Sequence, residues 1–163
     1  MTLARHLYER DREQCCIHLS RSLHHYGTSL RGAKRFDDAC EAGADGVTLA
    51  RHLYVRDQEQ YCEHLSSFLY GYTMSSREAE QFDDACKASA EGVALPRRLY
   101  ECDWEHYCPH LSHSLCHYGI SLRETKRFDD ACEAGAEDVT LTRRLYESDR
   151  ERYRKGHTLR SQL

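Results

Sequence analysis

The hexapeptide Arg35-Phe36-Asp37-Asp38-Ala39-Cys40 returns as Gln81-Phe82-Asp83-Asp84-Ala85-Cys86 and again as Arg127-Phe128-Asp129-Asp130-Ala131-Cys132, each time after 46 residues. A fixed period of this length restricts the fold more than any composition figure, because one such unit cannot bury its own apolar face and must stack on its neighbours. The chain divides into units 2–47, 48–93 and 94–139, with a partial unit at 140–163. The first and third units agree at roughly two thirds of their positions. The expected organisation is one repeat array over residues 1–163.

Each unit carries two apolar series at helical spacing. Leu19, Leu23, Tyr26, Gly27 and Leu30 mark one face of a first helix over 17–33. Phe36, Ala39, Cys40, Gly43, Val47, Ala50 and Tyr54 mark a second over 36–56. The short connector predicts an antiparallel hairpin, and Asp37 and Asp38 are expected to cap the second helix. The polar stretches 57–62 and 103–108 read as turns between units, with Pro109 in the first turn of the helix that follows. Gly43 and Gly46 are costly in a helix and imply the close approach of a neighbouring helix. Pro96 predicts a kink or a split in the second helix of its unit.

Composition narrows the function classes. Apolar residues make up 40% and charged residues 31%, which suits a folded, well-solvated chain. A net charge of −4 argues against general nucleic-acid binding, which needs a basic face. Stretches without Asp, Glu, Lys or Arg, such as 64–76, are too short and polar to span a membrane. The first residues lack the apolar run of a secretory signal. Six of the nine cysteines recur with the period: Cys16, Cys62 and Cys108 in one series, Cys40, Cys86 and Cys132 in another. In a chain neither short nor visibly secreted they read as reduced thiols, and the expected location is cytoplasmic.

The register Leu23, Tyr26-Gly27, Leu30, Arg35-Phe36, Ala39 recurs as Leu69, Tyr72, Phe82, Ala85 and as Leu115, Tyr118-Gly119, Leu122, Arg127-Phe128, Ala131. It resembles the tetratricopeptide repeat family, over essentially the whole chain. The resemblance implies an all-α fold, a right-handed superhelical solenoid of antiparallel helix hairpins, whose first helices line a concave groove for peptides or partner helices. The family's standard period is 34 residues. The longer period here is similar to the kinesin-light-chain-like branch, and it also overlaps HEAT and armadillo repeats. Thr73 and Ser76 stand where the register asks for glycine and leucine, which predicts looser packing in the second hairpin.

Catalytic chemistry finds no foothold. Cys16-x-His18, Cys62-x-His64 and Cys108-x-His110 have the look of metal ligand pairs, but residues two apart on a helix do not share a face, and the pairs sit on separate units. A thiol nucleophile needs one activated cysteine and one oriented base, whereas repetition spreads these evenly. No glycine-rich phosphate loop is present. The expectation is a non-enzyme with no catalytic residue, no metal and no cofactor. A thiol–imidazole enzyme is the reading it displaces.

Carrying the family's groove positions over gives Arg21, His24, Thr28 and Arg31 in the first unit. They are Ser67, Tyr70, Met74 and Arg77 in the second, and His113, Cys116, Ile120 and Arg123 in the third. Most differ between units while their neighbours stay fixed, as a binding surface requires. Arg31, Arg77 and Arg123 recur identically, either as a guanidinium ladder for carboxylates or paired with local acids such as Glu78 and Glu124. The expected partner is a protein or peptide of acidic or mixed polarity, with neither nucleic acid nor membrane. The alternative is a sensor or regulatory piece of a larger signalling protein such as a repeat-bearing NTPase. That view rests on a chain opening inside a second helix and stopping early in a fourth first helix. Leu3, Leu7 and Tyr8 would then form an uncapped end capable of self-association.

Overall fold

The computed structural model describes the backbone of residues 3–160 and the side chains of residues 11–150. Six helices occupy it: α1 (Leu3–Gly32), α2 (Phe36–Arg56), α3 (Gln58–Glu78), α4 (Phe82–Tyr100), α5 (Trp104–Glu124) and α6 (Phe128–Arg160). Among the described residues there is no strand. Each helix packs on the next, so the chain is an all-α run of antiparallel hairpins. The odd helices also touch, α1 on α3 and α3 on α5, whereas α2 and α4, and α4 and α6, stay more than 8 Å apart between Cα atoms. Two layers result, the odd one drawn closer. Long ion pairs span the wider even layer in one register, Arg51 to Glu91 and Arg97 to Glu137, both at 2.5 Å.

The turn from α1 into α2 shows how the hairpins close. Lys34 adopts a left-handed φ of 60°, and the Arg35 amide donates back to the Leu30 carbonyl at 2.9 Å. Glu80 and Lys126 repeat the same φ, with Gln81 donating to Ser76 and Arg127 to Leu122. This bond from the third residue past the helix to its last buried turn satisfies carbonyls the helix end would leave bare. The aspartates that follow are not caps. Arg35 holds the cap position without a side-chain bond, and Asp37 and Asp38 sit in the first turn of α2. There they meet the positive end of the helix dipole, and Asp38 accepts from Arg35 at 2.6 Å.

The capping aspartate lies elsewhere. Asp57 forms the whole connection between α2 and α3, and its carboxylate accepts from the Gln60 amide at 2.9 Å. Asp103 does the same for the His106 amide at 3.1 Å. The stretches expected as inter-unit turns, 57–62 and 103–108, are therefore first turns of α3 and α5 apart from their leading aspartates. Pro109 falls in the second turn of α5, not the first. α2 runs unbroken through Gly43 and Gly46, and α4 continues through Pro96, so the split that Pro96 could have caused does not occur. Pro96 is tolerated close to the C-terminal end of α4, where only a short segment depends on the hydrogen bond it removes.

The core follows the helix faces. Val47, Leu53, Leu65 and Leu69 centre one cluster between α2, α3 and α4; Val93, Leu111, Leu115 and Leu122 centre another between α4, α5 and α6. Thr73 and Ser76, expected to loosen the second hairpin, are fully buried. The helices at either end depart from the repeat. α1 runs straight through 11–16 and α6 straight through 149–154, so neither the leading second helix nor the fourth first helix forms. These segments hold no glycine or proline to stop a helix, but neither do 57–62 and 103–108, where the chain does turn. Leu19 and Tyr26, read as core, are each 54% exposed, whereas Leu65, one period on from Leu19, is fully buried. The expected uncapped end at Leu3, Leu7 and Tyr8 lies outside the described side chains.

Candidate functional site

The odd layer presents two geometrically equivalent seams, and they are filled differently. Between α1 and α3, Phe68 drives its ring onto α2 where Gly46 leaves room, with His24 edge-on at 5.3 Å and His64 tilted against it at 4.6 Å between ring centroids. Only ≈ 20 Å³ of space remains in that seam. One period on, between α3 and α5, Ser114 stands where Phe68 stood and Gly92 where Gly46 stood. A Cβ on Gly92 would meet only the Leu69 Cβ at 4.0 Å. The missing ring leaves a cavity of ≈ 400 Å³. Its floor is Ala88, Ser89 and Gly92 of α4, small residues on a buried helix face.

The walls carry aromatic and polar groups. Tyr70 of α3 lies 5.1 Å from the His113 ring and 4.6 Å from the His117 ring, and the two histidines are 4.7 Å apart. Their i, i+4 spacing puts both on one face of α5. Burial, then the neighbouring His113 and Arg77, hold the His117 imidazole below the usual histidine range. It is thus neutral near pH 7. Its buried Nδ1 has no hydrogen-bond partner among the described residues, and neither does Thr73 Oγ1, which is only 1% exposed and also lines the cavity. Unpartnered polar atoms are costly in an interior and mark places where a ligand can supply the bond.

At the mouth of the cavity three donors converge. Glu63 Oε1 of α3 lies 2.8 Å from His106 Nε2 and 3.4 Å from His110 Nε2, both on α5. One ligand atom from each residue lies within 4.8 Å of the other two. The α1–α3 seam has Ile17, Gln60 and His64 at these positions, so the cluster belongs to one seam alone. Of the three Cys-x-His pairs only His110 joins this cluster, and it does so without Cys108. Cys62 and Cys108 are buried, and burial raises their thiols above the usual range, which makes them poor nucleophiles. His64 turns to Ser20 Oγ at 3.2 Å. All nine cysteines are free.

The expected groove residues scatter. Tyr70 and His113 reach the cavity wall, with Ser67 beside them. His24 packs on Phe68, and Thr28 donates its hydroxyl to the His24 carbonyl at 3.0 Å. Arg21 and Cys116 are exposed, Ile120 is half-buried, and none of the three lines the cavity. Arg31 and Arg77 are engaged: Arg31 forks onto Glu78 at 2.8 and 2.9 Å, and Arg77 onto Glu124 at 2.7 Å, with Met74 Sδ at 3.6 Å. These pairs join adjacent odd helices, so the arginines are rungs of the stack and hold no vacant fork for a ligand. Arg123 is exposed and has no such partner among the described residues.

Ser114, Gly92, Thr73, His117, Glu63 and His106 were not among the site residues expected from sequence, and His110 enters that reading only in the rejected ligand pair with Cys108. The sequence shows a change of size at this position, Ser22, Phe68 and Ser114 in successive units, but not which seam it empties. Compared with known proteins, the chain matches no family model and no curated protein.

Proposed function

We propose that this chain is a non-catalytic protein-interaction module, a tetratricopeptide-like superhelical array that holds a peptide or partner helix against its odd-numbered layer. The observation that carries the reading is the α3–α5 seam, where Ser114 opposite Gly92 leaves a side-chain-sized receptacle. The chain itself indicates what such a seam accepts, because Phe68 fills the equivalent place between α1, α2 and α3. The preferred ligand therefore offers an aromatic or large apolar side chain, stacked by Tyr70, His113 and His117. Thr73 Oγ1 and His117 Nδ1 add polar selectivity at depth. The tighter spacing of the odd helices supports curvature toward that layer, which exposes a continuous track for the rest of the peptide. Free thiols and an acidic net charge are compatible with a cytoplasmic setting.

Replacing Ser114 with Phe copies the filled seam into the open one. A displayed peptide library panned against the native chain, with Ser114→Phe as the counter-selection, is the direct test. Peptides rich in one aromatic position should be enriched by the native chain and lost on Ser114→Phe. Equal enrichment on both proteins would remove the seam from the binding surface.

A further inference from the structure

We propose that Glu63, His106 and His110 form a binding site for a borderline transition-metal dication of the zinc class. The three side chains come from two helices, and their ligand atoms converge with no other residue needed between them. Tetrahedral coordination with bonds of about 2.0–2.1 Å places ligand atoms about 3.3–3.4 Å apart along each edge. Glu63 Oε1 to His110 Nε2 is already 3.4 Å, so that edge fits as it stands, and Glu63 Oε1 to His106 Nε2, at 2.8 Å, must open by about half an ångström. The third, between the imidazoles, is within 4.8 Å and closes by side-chain rotation of half-exposed residues.

The scaffold supports this geometry for reasons unrelated to a metal. His106 and His110 are four apart on α5 and share a face. The first turn of α5 is fixed by the Asp103 carboxylate on the His106 amide. Glu63 is held opposite by α3, whose seam with α5 is tied at its far end by Arg77 and Glu124. Two imidazoles and one carboxylate suit zinc, cobalt or nickel and do not suit magnesium or calcium, which take oxygen ligands throughout. The remaining coordination position faces solvent beside the cavity mouth, since Glu63 and His110 also line it. His106 does not line the cavity, so a His106 substitution separates this site from the peptide reading.

The test is titration of the full chain with Co²⁺ under reducing conditions, followed by visible absorption and calorimetry, with Mg²⁺ as control. The expected result is one equivalent bound, with d–d bands of nitrogen and oxygen ligation and no thiolate charge-transfer band in the near ultraviolet. His106→Ala, His110→Ala and Glu63→Gln should each weaken binding by on the order of tenfold or more. His113→Ala should leave it unchanged. Circular dichroism of each variant confirms the helical fold, and the exposed position of His106 makes unfolding an implausible cause. Absence of binding, a thiolate band, or affinity indifferent to His106→Ala and His110→Ala would each overturn the assignment.

Discussion

Phe68 and Gly46 are locked together: a Cβ built on Gly46 would stand 3.0 Å from Phe68 Cδ1 and 3.3 Å from Cε1. The ring cannot retreat, because His24 and His64 pack on it and it is 6% exposed. Gly46→Ala should therefore destabilise the fold despite a helix-propensity gain of about 1 kcal/mol, since overpacking costs about 1–3 kcal/mol. Gly92→Ala enters open space and should keep the propensity gain. Urea unfolding of the two variants should move the midpoint in opposite directions.

The connecting aspartates should divide by position. Asp57→Ala and Asp103→Ala each remove a cap and should cost about 1 kcal/mol. Asp11→Ala and Asp149→Ala, at the same register inside the unbroken α1 and α6, should cost little or raise helicity. Equal losses at all four positions would show that the terminal helices break as the inner ones do. Thermal melts by circular dichroism read this directly.

Lys34, Glu80 and Lys126 hold a left-handed backbone that suits glycine. Lys34→Gly and Lys126→Gly should each stabilise by about 0.5–1 kcal/mol, with Lys126→Ala giving no such gain. Denaturant unfolding distinguishes them. No gain from either glycine would place the hairpin closure in another conformation.

Acid should weaken the fold through histidines. Burial, first among the causes, holds His24, His64 and His117 below the ordinary value. Their neutral form is favoured in the fold, so the unfolded chain takes up protons first as pH falls below about 6.5. Stability is then full above that pH and declines below it, toward the lowered folded values. The Arg31 bond that lowers Glu78 contributes in a more acidic window, below the ordinary carboxylate value. Melting temperature should fall from pH 7 to 5.5, and His64→Gln should flatten that slope. A pH-independent melting temperature across this interval would contradict the burial of these rings.

Helix type, pairing and the small-residue face of α2 were legible because each follows from local spacing. Phe36, Ala39, Cys40, Val47, Ala50 and Tyr54 keep one face over five turns, and α2 has the expected bounds of 36–56. The pairing of Arg31 with Glu78 was one of two open readings, and the choice depended on how far apart the odd helices lie. The cavity was not legible by pattern alone. Its volume depends on Ser114, Gly92, Tyr70 and His117 meeting from three helices.

The aspartates at 11, 57, 103 and 149 show where the sequence stops deciding. Every one is followed by residues able to continue a helix, and local chemistry offers each the same choice between cap and helix interior. The repeat period, the apolar face of α2 and the hairpin turns were determined by the sequence itself, because short-range spacing and backbone hydrogen bonding suffice for them. The chain turns at Asp57 and Asp103 and runs straight through Asp11 and Asp149. Tertiary structure decided that difference: a turn is stable only where folding back buries an apolar face against a neighbouring hairpin, and that burial outweighs the few hydrogen bonds a continuous helix would keep.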